Sequence, residues 1–219
     1  MINLHTHHPT FSDSLLEIES VYYEQQKVPR STTRSIGLHP WHLEGINLDE
    51  ATSWLREQAL LPSTVAIGEA GLDKVCNTPW NFQVSAFQRC VEVSEKMEKP
   101  LIIHCVRAFS EIIALKKEWE PRQFWIFHGF NKNPAVVELL LKAECFLSFG
   151  TALLRTQTQL AESFLAVPED RFFLETDDAN ISISAVYGRA AELRGIALNK
   201  LEKMVARNFS NAFKRSIAV

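Results

Sequence analysis

A TIM-like (β/α)8 barrel is the fold the sequence predicts, and three observations predict it. Short runs that are apolar throughout alternate with helix-length amphipathic stretches, eight such runs read as strands, and no Gly-x-Gly-x-x-Gly follows the first of them. Strands apolar on both faces, each followed by a crossover, belong to a parallel sheet covered by helices, and eight units favour a closed barrel over an open doubly wound sheet.

The elements follow in chain order. Residues 2–7 (INLHTH) and 15–23 alternate like strands, and 34–38 is a further short one before a helix over 49–61. A fully apolar run at 64–69 precedes a helix over 79–99, on which Val84, Phe87, Val91 and Met97 fall near one face. Strand 101–104 leads to a helix over 110–118, and strand 124–128 to a helix over 133–142. Strands 145–149 and 172–176 enclose a helix near 157–166, and helices over 184–193 and 199–213 close the chain. No repeat, low-complexity tract or Pro/Gly-rich linker divides it, so one domain over residues 1–219 is expected.

At 219 residues, with 46% hydrophobic and 22% charged side chains, the chain is an ordinary globular protein. It needs neither disulfide nor metal merely to hold a core. Barrels of this class need about 250 residues and reach down to roughly 200, so the length is near the floor. The shortage falls in the stretch 8–36, which is too short and polar for two covering helices around its one strand. The first two βα units are therefore expected to be abbreviated.

Twenty-three Lys plus Arg against 26 Asp plus Glu leave a charge of −3 with no basic run, which disfavours a tight, sequence-independent nucleic-acid binder. A phosphate-bearing substrate would have to be held locally. Apolar runs fall far short of the roughly 20 residues a bilayer requires, and MINLHTHHP lacks the features of a secretion signal. No membrane partner and a cytoplasmic location are the expectations, with a monomer as the default. Cys76, Cys90, Cys105 and Cys145 form no CxxC pair and read as reduced structural thiols.

Six metal-capable side chains stand at the carboxyl ends of these strands: His5 and His7, Glu69, His104, His128 and Asp177. In a (β/α)8 barrel those ends form the active-site face, so groups from separate strands converge. His5 and His7 share a strand face by the period of two and can grip one ion, while Thr6 points the other way. Each residue alone has an ordinary structural reading, as a hydrogen-bonded core histidine or a helix cap. Their joint placement points to a metal site. Mixed imidazole and carboxylate ligands suit Zn²⁺ or Mn²⁺, and a set poorer in histidine would suit Mg²⁺ better.

These residues resemble the TatD family of metal-dependent hydrolases within the amidohydrolase-like barrels. The resemblance is carried in order by His5-Thr-His7, Gly37-Leu-His-Pro40, Gly68-Glu-Ala-Gly-Leu-Asp73 and Pro100-Leu-Ile-Ile-His104, and continues through His128-Gly-Phe130, Glu175-Thr-Asp177 and Asn208 to Phe213. It implies a two-metal centre, zinc first with magnesium or manganese as alternatives, in which Glu69 bridges both ions. His5, His7 and Asp177 would complete one ion, and His104 and His128 the other. It also implies hydrolysis of phosphodiesters such as DNA from the 3′ end, with Asp177 and Glu69 as the catalytic carboxylates and Asp177 taking a proton from water.

Among substrate contacts, His39 matches the histidine that follows the family's third strand and is expected to hydrogen-bond a phosphate oxygen. Arg107 and Lys132 follow ligand-bearing strands and would supply local positive charge, or stand as ordinary solvated cations. Trp41 and Phe130 offer stacking faces for a nucleobase, with packing the favoured role of Phe130. Glu175 reads equally as a group that orients a ligand and as a buried salt bridge. Where the family has an acidic residue before its first histidine this chain has Leu4, and Arg107 stands three rather than two residues after His104. The alternative reactions are hydrolysis of a small ester, lactone or amide at the same metals and a non-catalytic, metal-stabilised interaction protein.

Overall fold

The computed structural model describes residues 1–10, 12, 14–23, 33–155 and 158–214. Its strands are β1 (Ile2–Thr6), β2 (Leu16–Tyr22), β3 (Arg34–Gly37), β4 (Thr64–Asp73), β5 (Leu101–Val106), β6 (Trp125–Phe127), β7 (Phe146–Phe149) and β8 (Phe172–Leu174). The helices are α1 (Leu48–Ala59), α2 (Trp80–Met97), α3 (Phe109–Trp119), α4 (Pro134–Lys142), α5 (Thr158–Ala166), α6 (Ile183–Arg194) and α7 (Leu198–Phe213). The strands follow one another in chain order within a sheet, and β2 with β3, β3 with β4, β4 with β5, and β7 with β8 pair in parallel. Every residue of β1, β3, β4, β6, β7 and β8 is buried, as parallel strands covered on both faces must be.

By packing, the chain resolves into two compact units, Met1–Ile18 with Phe127–Val219, and Glu19–Ile126. In the first, β1 is tied down at both ends. The buried Tyr187 hydroxyl of α6 donates to the Ile2 carbonyl at 2.9 Å and accepts from the Ile2 amide at 3.0 Å. Further along, the Asn3 side chain donates to Thr176 Oγ1 and accepts from the Thr176 amide. The backbone past β8 then pairs with β1: the Asp177 amide donates to the His5 carbonyl and the His7 amide to the Asp177 carbonyl, both at 3.0 Å. Asn208 of α7 donates to the carbonyls of Glu169 and Phe172, fixing the entry to β8.

In the second unit β4 is the longest strand, and two glycines permit its approach to β5. A Cβ added at Gly71 would lie 2.0 Å from the His104 carbonyl oxygen, and one at Gly68 2.3 Å from that of Ile102. The glycines of the Gly68-Glu-Ala-Gly71 block are thus required by backbone contact. Helix α2 buries Gln83, Phe87, Cys90, Val91 and Ser94, while Val84 and Met97, expected on that face, are only half-buried.

Two expectations are corrected. Glu69 and His104 do not end their strands: β4 continues to Asp73 and β5 to Val106. A charged residue stops an apolar run in a sequence, but a strand passes through it when a neighbouring side chain satisfies it, and Glu69 and His104 satisfy each other. Short 3-10 turns at Pro40–His42 and Thr151–Leu154 were not expected. No helix falls among the described residues of the stretch 8–36, and the part of that expectation resting on residues 11, 13 and 24–32 lies outside them. All four cysteines are free thiols. No helix among the described residues is long and apolar enough to cross a membrane.

Candidate metal centres

In the second unit, His39, Glu69 and His104 bring one donor atom each within 4.8 Å of one another, all three side chains being buried. Glu69 Oε1 lies 3.0 Å from His39 Nε2 and 2.6 Å from His104 Nδ1. The hydrogen bonds assign the proton on His39. The Trp41 amide donates to His39 Nδ1 at 3.1 Å, so that nitrogen presents a lone pair, and the neutral ring carries its proton on Nε2, aimed at Glu69. Burial holds the His39 pKa below the ordinary imidazole value against the pull of Glu69, in keeping with a neutral ring.

His104 is gripped from its other side by Asp73, whose Oδ2 lies 3.2 Å from His104 Nε2. The ring thus stands between two carboxylates, Glu69 on Nδ1 and Asp73 on Nε2, the arrangement by which a carboxylate behind a histidine orients it for a metal. Asp73 is itself saturated. Its Oδ2 also accepts from Trp41 Nε1 at 2.6 Å, and its Oδ1 from the amides of Val75 and Cys76. Burial raises the Asp73 carboxyl pKa, but the hydrogen bonds from Trp41, Val75 and His104 outweigh it and hold the group below the usual carboxylate range.

In the first unit, His5, His7 and Asp177 form the corresponding group. His5 Nε2 and His7 Nε2 stand 3.6 and 3.7 Å from Asp177 Oδ1. Parity along β1 puts both rings on one side, and the backbone bridge between Thr6 and Asp177 brings the carboxylate to them. The His5 ring is fully buried and packs on His128 with centroids 4.3 Å apart, whereas the Asp177 side chain is 44% exposed and open to water.

Behind His128 stands Glu175, wholly buried, whose Oε1 accepts from the Gly129 amide at 2.5 Å and faces His128 Nδ1 at 3.5 Å. Burial raises its carboxyl pKa, but His128, with the charge of His5, outweighs this and holds it low. Glu175 Oε2 is buried without a hydrogen bond. An anionic oxygen left so among imidazoles fits a nearby cation, since an unpaired buried charge is costly. His5 and His7 with Asp177, and His104 with Glu69, are nitrogen and oxygen donor sets of the kind that hold zinc or manganese.

The expected residues therefore fall into two sets. His5, His7, His128 and Asp177 meet in one unit, Glu69 and His104 in the other. His39, expected on the substrate, spends both ring nitrogens inside the protein and is 7% exposed. Arg107 and Lys132 are exposed and make no ion pair among the described residues. Phe130 is buried against Phe149, a packing role, while Trp41 is 59% exposed. Asp73 received no role from the sequence. The available signal was its parity, four residues from Glu69 on a strand and hence on the same face.

The profile of the family described as TatD related DNase matches residues 6–214. A human protein named 3′-5′ RNA nuclease TATDN2 is 32% identical over 149 residues, covering 65% of this chain and 19% of that protein. A protein of Rahnella sp. named 3′-5′ ssDNA/RNA exonuclease TatD is 30% identical over 159 residues, covering 64% of this chain and 58% of that one. The chain thus spans from a fifth to under three fifths of the length of these relatives. A solved structure of a TatD homologue from Escherichia coli K12 superposes with a TM-score of 0.81 over 98% of both chains at 18% identity, a likeness of fold. Together with the parallel pairing and chain-order sheet, it gives the TIM-like (β/α)8 fold.

Proposed function

The chain belongs to the TatD-related DNase family, and on that premise we propose that it is a divalent-metal-dependent hydrolase that cleaves phosphodiesters, removing nucleotides from the 3′ end of DNA. One observation carries the reading: His5, His7 and Asp177 gather donor atoms within 4.8 Å, Glu69 meets His104 at 2.6 Å, and each unit sets a buried carboxylate behind a candidate ligand histidine, Asp73 behind His104 and Glu175 behind His128. A purely structural histidine needs one hydrogen-bond partner, not a shared carboxylate on one nitrogen and an orienting one on the other.

In this reading His5, His7 and Asp177 hold one ion, Glu69 and His104 hold a second, and His128 is the sixth ligand. When bound, such ions supply Lewis-acid stabilisation of charge on the phosphoryl oxygens and acidify nearby water. The chain's own groups do the rest. Asp177, the open carboxylate, takes the proton of the attacking water, and His39 holds Glu69 in place through its Nε2 proton. Arg107 and Lys132 are free to meet substrate phosphates.

The test is metal analysis of the purified chain, then assay on a 3′-hydroxyl oligonucleotide ladder with zinc, manganese or magnesium restored. Stepwise shortening from the 3′ end, lost in E69Q and H5A with the circular dichroism spectrum retained, is the expected result. No cleavage of DNA or of an activated phosphodiester with any of the three metals would overturn it, and cleavage of only a small ester or lactone would reassign the substrate.

A further inference from the structure

Beside the Glu69 group, in the same unit, lies a cavity of about 550 Å³ lined by Trp41, Asp73, Cys76, Asn77, Thr78 and Arg107 among others. Its volume falls in the range of small-molecule sites, about 300–1,000 Å³. Two of its features have no structural explanation. Trp41 leaves 59% of its surface in solvent, although an indole is among the costliest side chains to expose. It is nonetheless rigid: its Nε1–H donates to Asp73 Oδ2 at 2.6 Å, and its ring meets those of His39 and His104 edge-on at centroid distances of 5.1 and 5.6 Å. Arg107, the cation of the lining, is exposed, has its backbone in the left-handed region at φ 55°, and makes no ion pair or hydrogen bond among the described residues.

A surface tryptophan pinned through its one polar atom keeps its ring in one orientation, so stacking against it costs little entropy. An unpaired guanidinium beside it offers a fork for a phosphate. The acidic groups of the lining do not contradict this. Asp73 is saturated by four donors, and Glu44 is exposed and screened by salt.

Resting on the phosphodiesterase reading, we propose that this cavity is a subsite for one unpaired nucleotide, its base stacked on Trp41 and its phosphate on Arg107. Stacking of this kind tolerates any base.

The experiment measures binding by fluorescence anisotropy of a labelled dT8 strand to the full chain in chelator, with cleavage of the same strand in metal followed in parallel. W41A should weaken binding roughly five- to hundred-fold, the range for loss of one stacked base, and W41F should recover most of it. R107Q should lower the salt slope of log Kd by about 0.7, the value for one contact with a single strand. In the native chain, dT8 should slow maleimide labelling of Cys76, which lines the cavity, and leave Cys105 unaffected. If the native chain binds and cleaves dT8 while W41A binds it equally well, the subsite is wrong and the nuclease reading stands. If the native chain neither binds nor cleaves dT8, both fall.

Discussion

Replacing Tyr187 with Phe tests whether α6 holds the strand that carries the His5 and His7 pair. The tyrosine hydroxyl is fully buried and serves both polar groups of Ile2, itself 4% exposed, at 2.9 and 3.0 Å. The ring of Phe fills the same space, so nearly the whole effect is two hydrogen bonds lost and two backbone groups left buried without partners. A net hydrogen bond contributes about 0.5–1.5 kcal/mol, and an abandoned buried partner costs about 1–3 kcal/mol. A loss of about 3 kcal/mol follows. For a chain of this size about 2–4 °C is lost per kcal/mol, so the midpoint of a thermal melt should fall by about 6–12 °C. The effect should stop at the beginning of β1, because the Asn3 to Thr176 pair and the bridge at Asp177 lie between Ile2 and His7. Metal affinity measured by chelator competition should therefore change less than about tenfold, the lower bound for losing a group that orients a ligand. A melt within 2 °C of the parent would refute the assignment of those hydrogen bonds. A fall in stability accompanied by loss of the metal would refute the claim that the strand is tied twice.

Three further outcomes are expected. E175Q keeps the acceptor for the Gly129 amide but removes the charge facing His128, so metal affinity should fall about 10–100-fold in a chelator titration. Because the Glu175 pKa is depressed in the folded chain, its contribution is present above the ordinary glutamate value of about 4.3 and is lost as pH falls through the lower folded value; E175Q should therefore flatten melting temperature against pH below about pH 4. G71A drives a Cβ to 2.0 Å from the His104 carbonyl and should cost about 3 kcal/mol or more, while G188A, in open space on α6, should gain about 0.5–1 kcal/mol, both read from chemical denaturation. Cys76 and Cys105 are half-buried, whereas Cys145 and Cys90 are buried, with burial pushing the Cys90 thiol up to about 12; intact-mass analysis after brief maleimide treatment at pH 7.5 should show at most two adducts until urea is added.

Much of the fold was legible because its determinants are local. Apolar runs and amphipathic stretches marked the eight strands and seven helices of the described residues, several to within one or two residues, as in 133–142 against Pro134–Lys142. The failures came where a long-range partner rescues a locally unfavourable residue. Glu69 looked like the end of a strand because a charge in an apolar run reads as a stop, yet His39 and His104, 30 and 35 residues away in the chain, satisfy it. The 3-10 turn at Pro40–His42 was invisible for a different reason: three residues are too few to show a period, although the interaction that starts it, the His39 side chain accepting from the Trp41 amide, is local.

The candidate site divides in the same way. The sequence alone singled out the residues proposed here as metal ligands and put His5 and His7 on one face, since residue type and the period of two require no fold. It could not say which nitrogen meets which oxygen. That His39 turns inward to Glu69, that Asp73 takes one side of His104 and pins Trp41 with the same oxygen, and that Glu175 backs His128 are decided by strand register and by turns. A hydrogen bond is won or lost within half an ångström, and only packing the whole chain places side chains that closely.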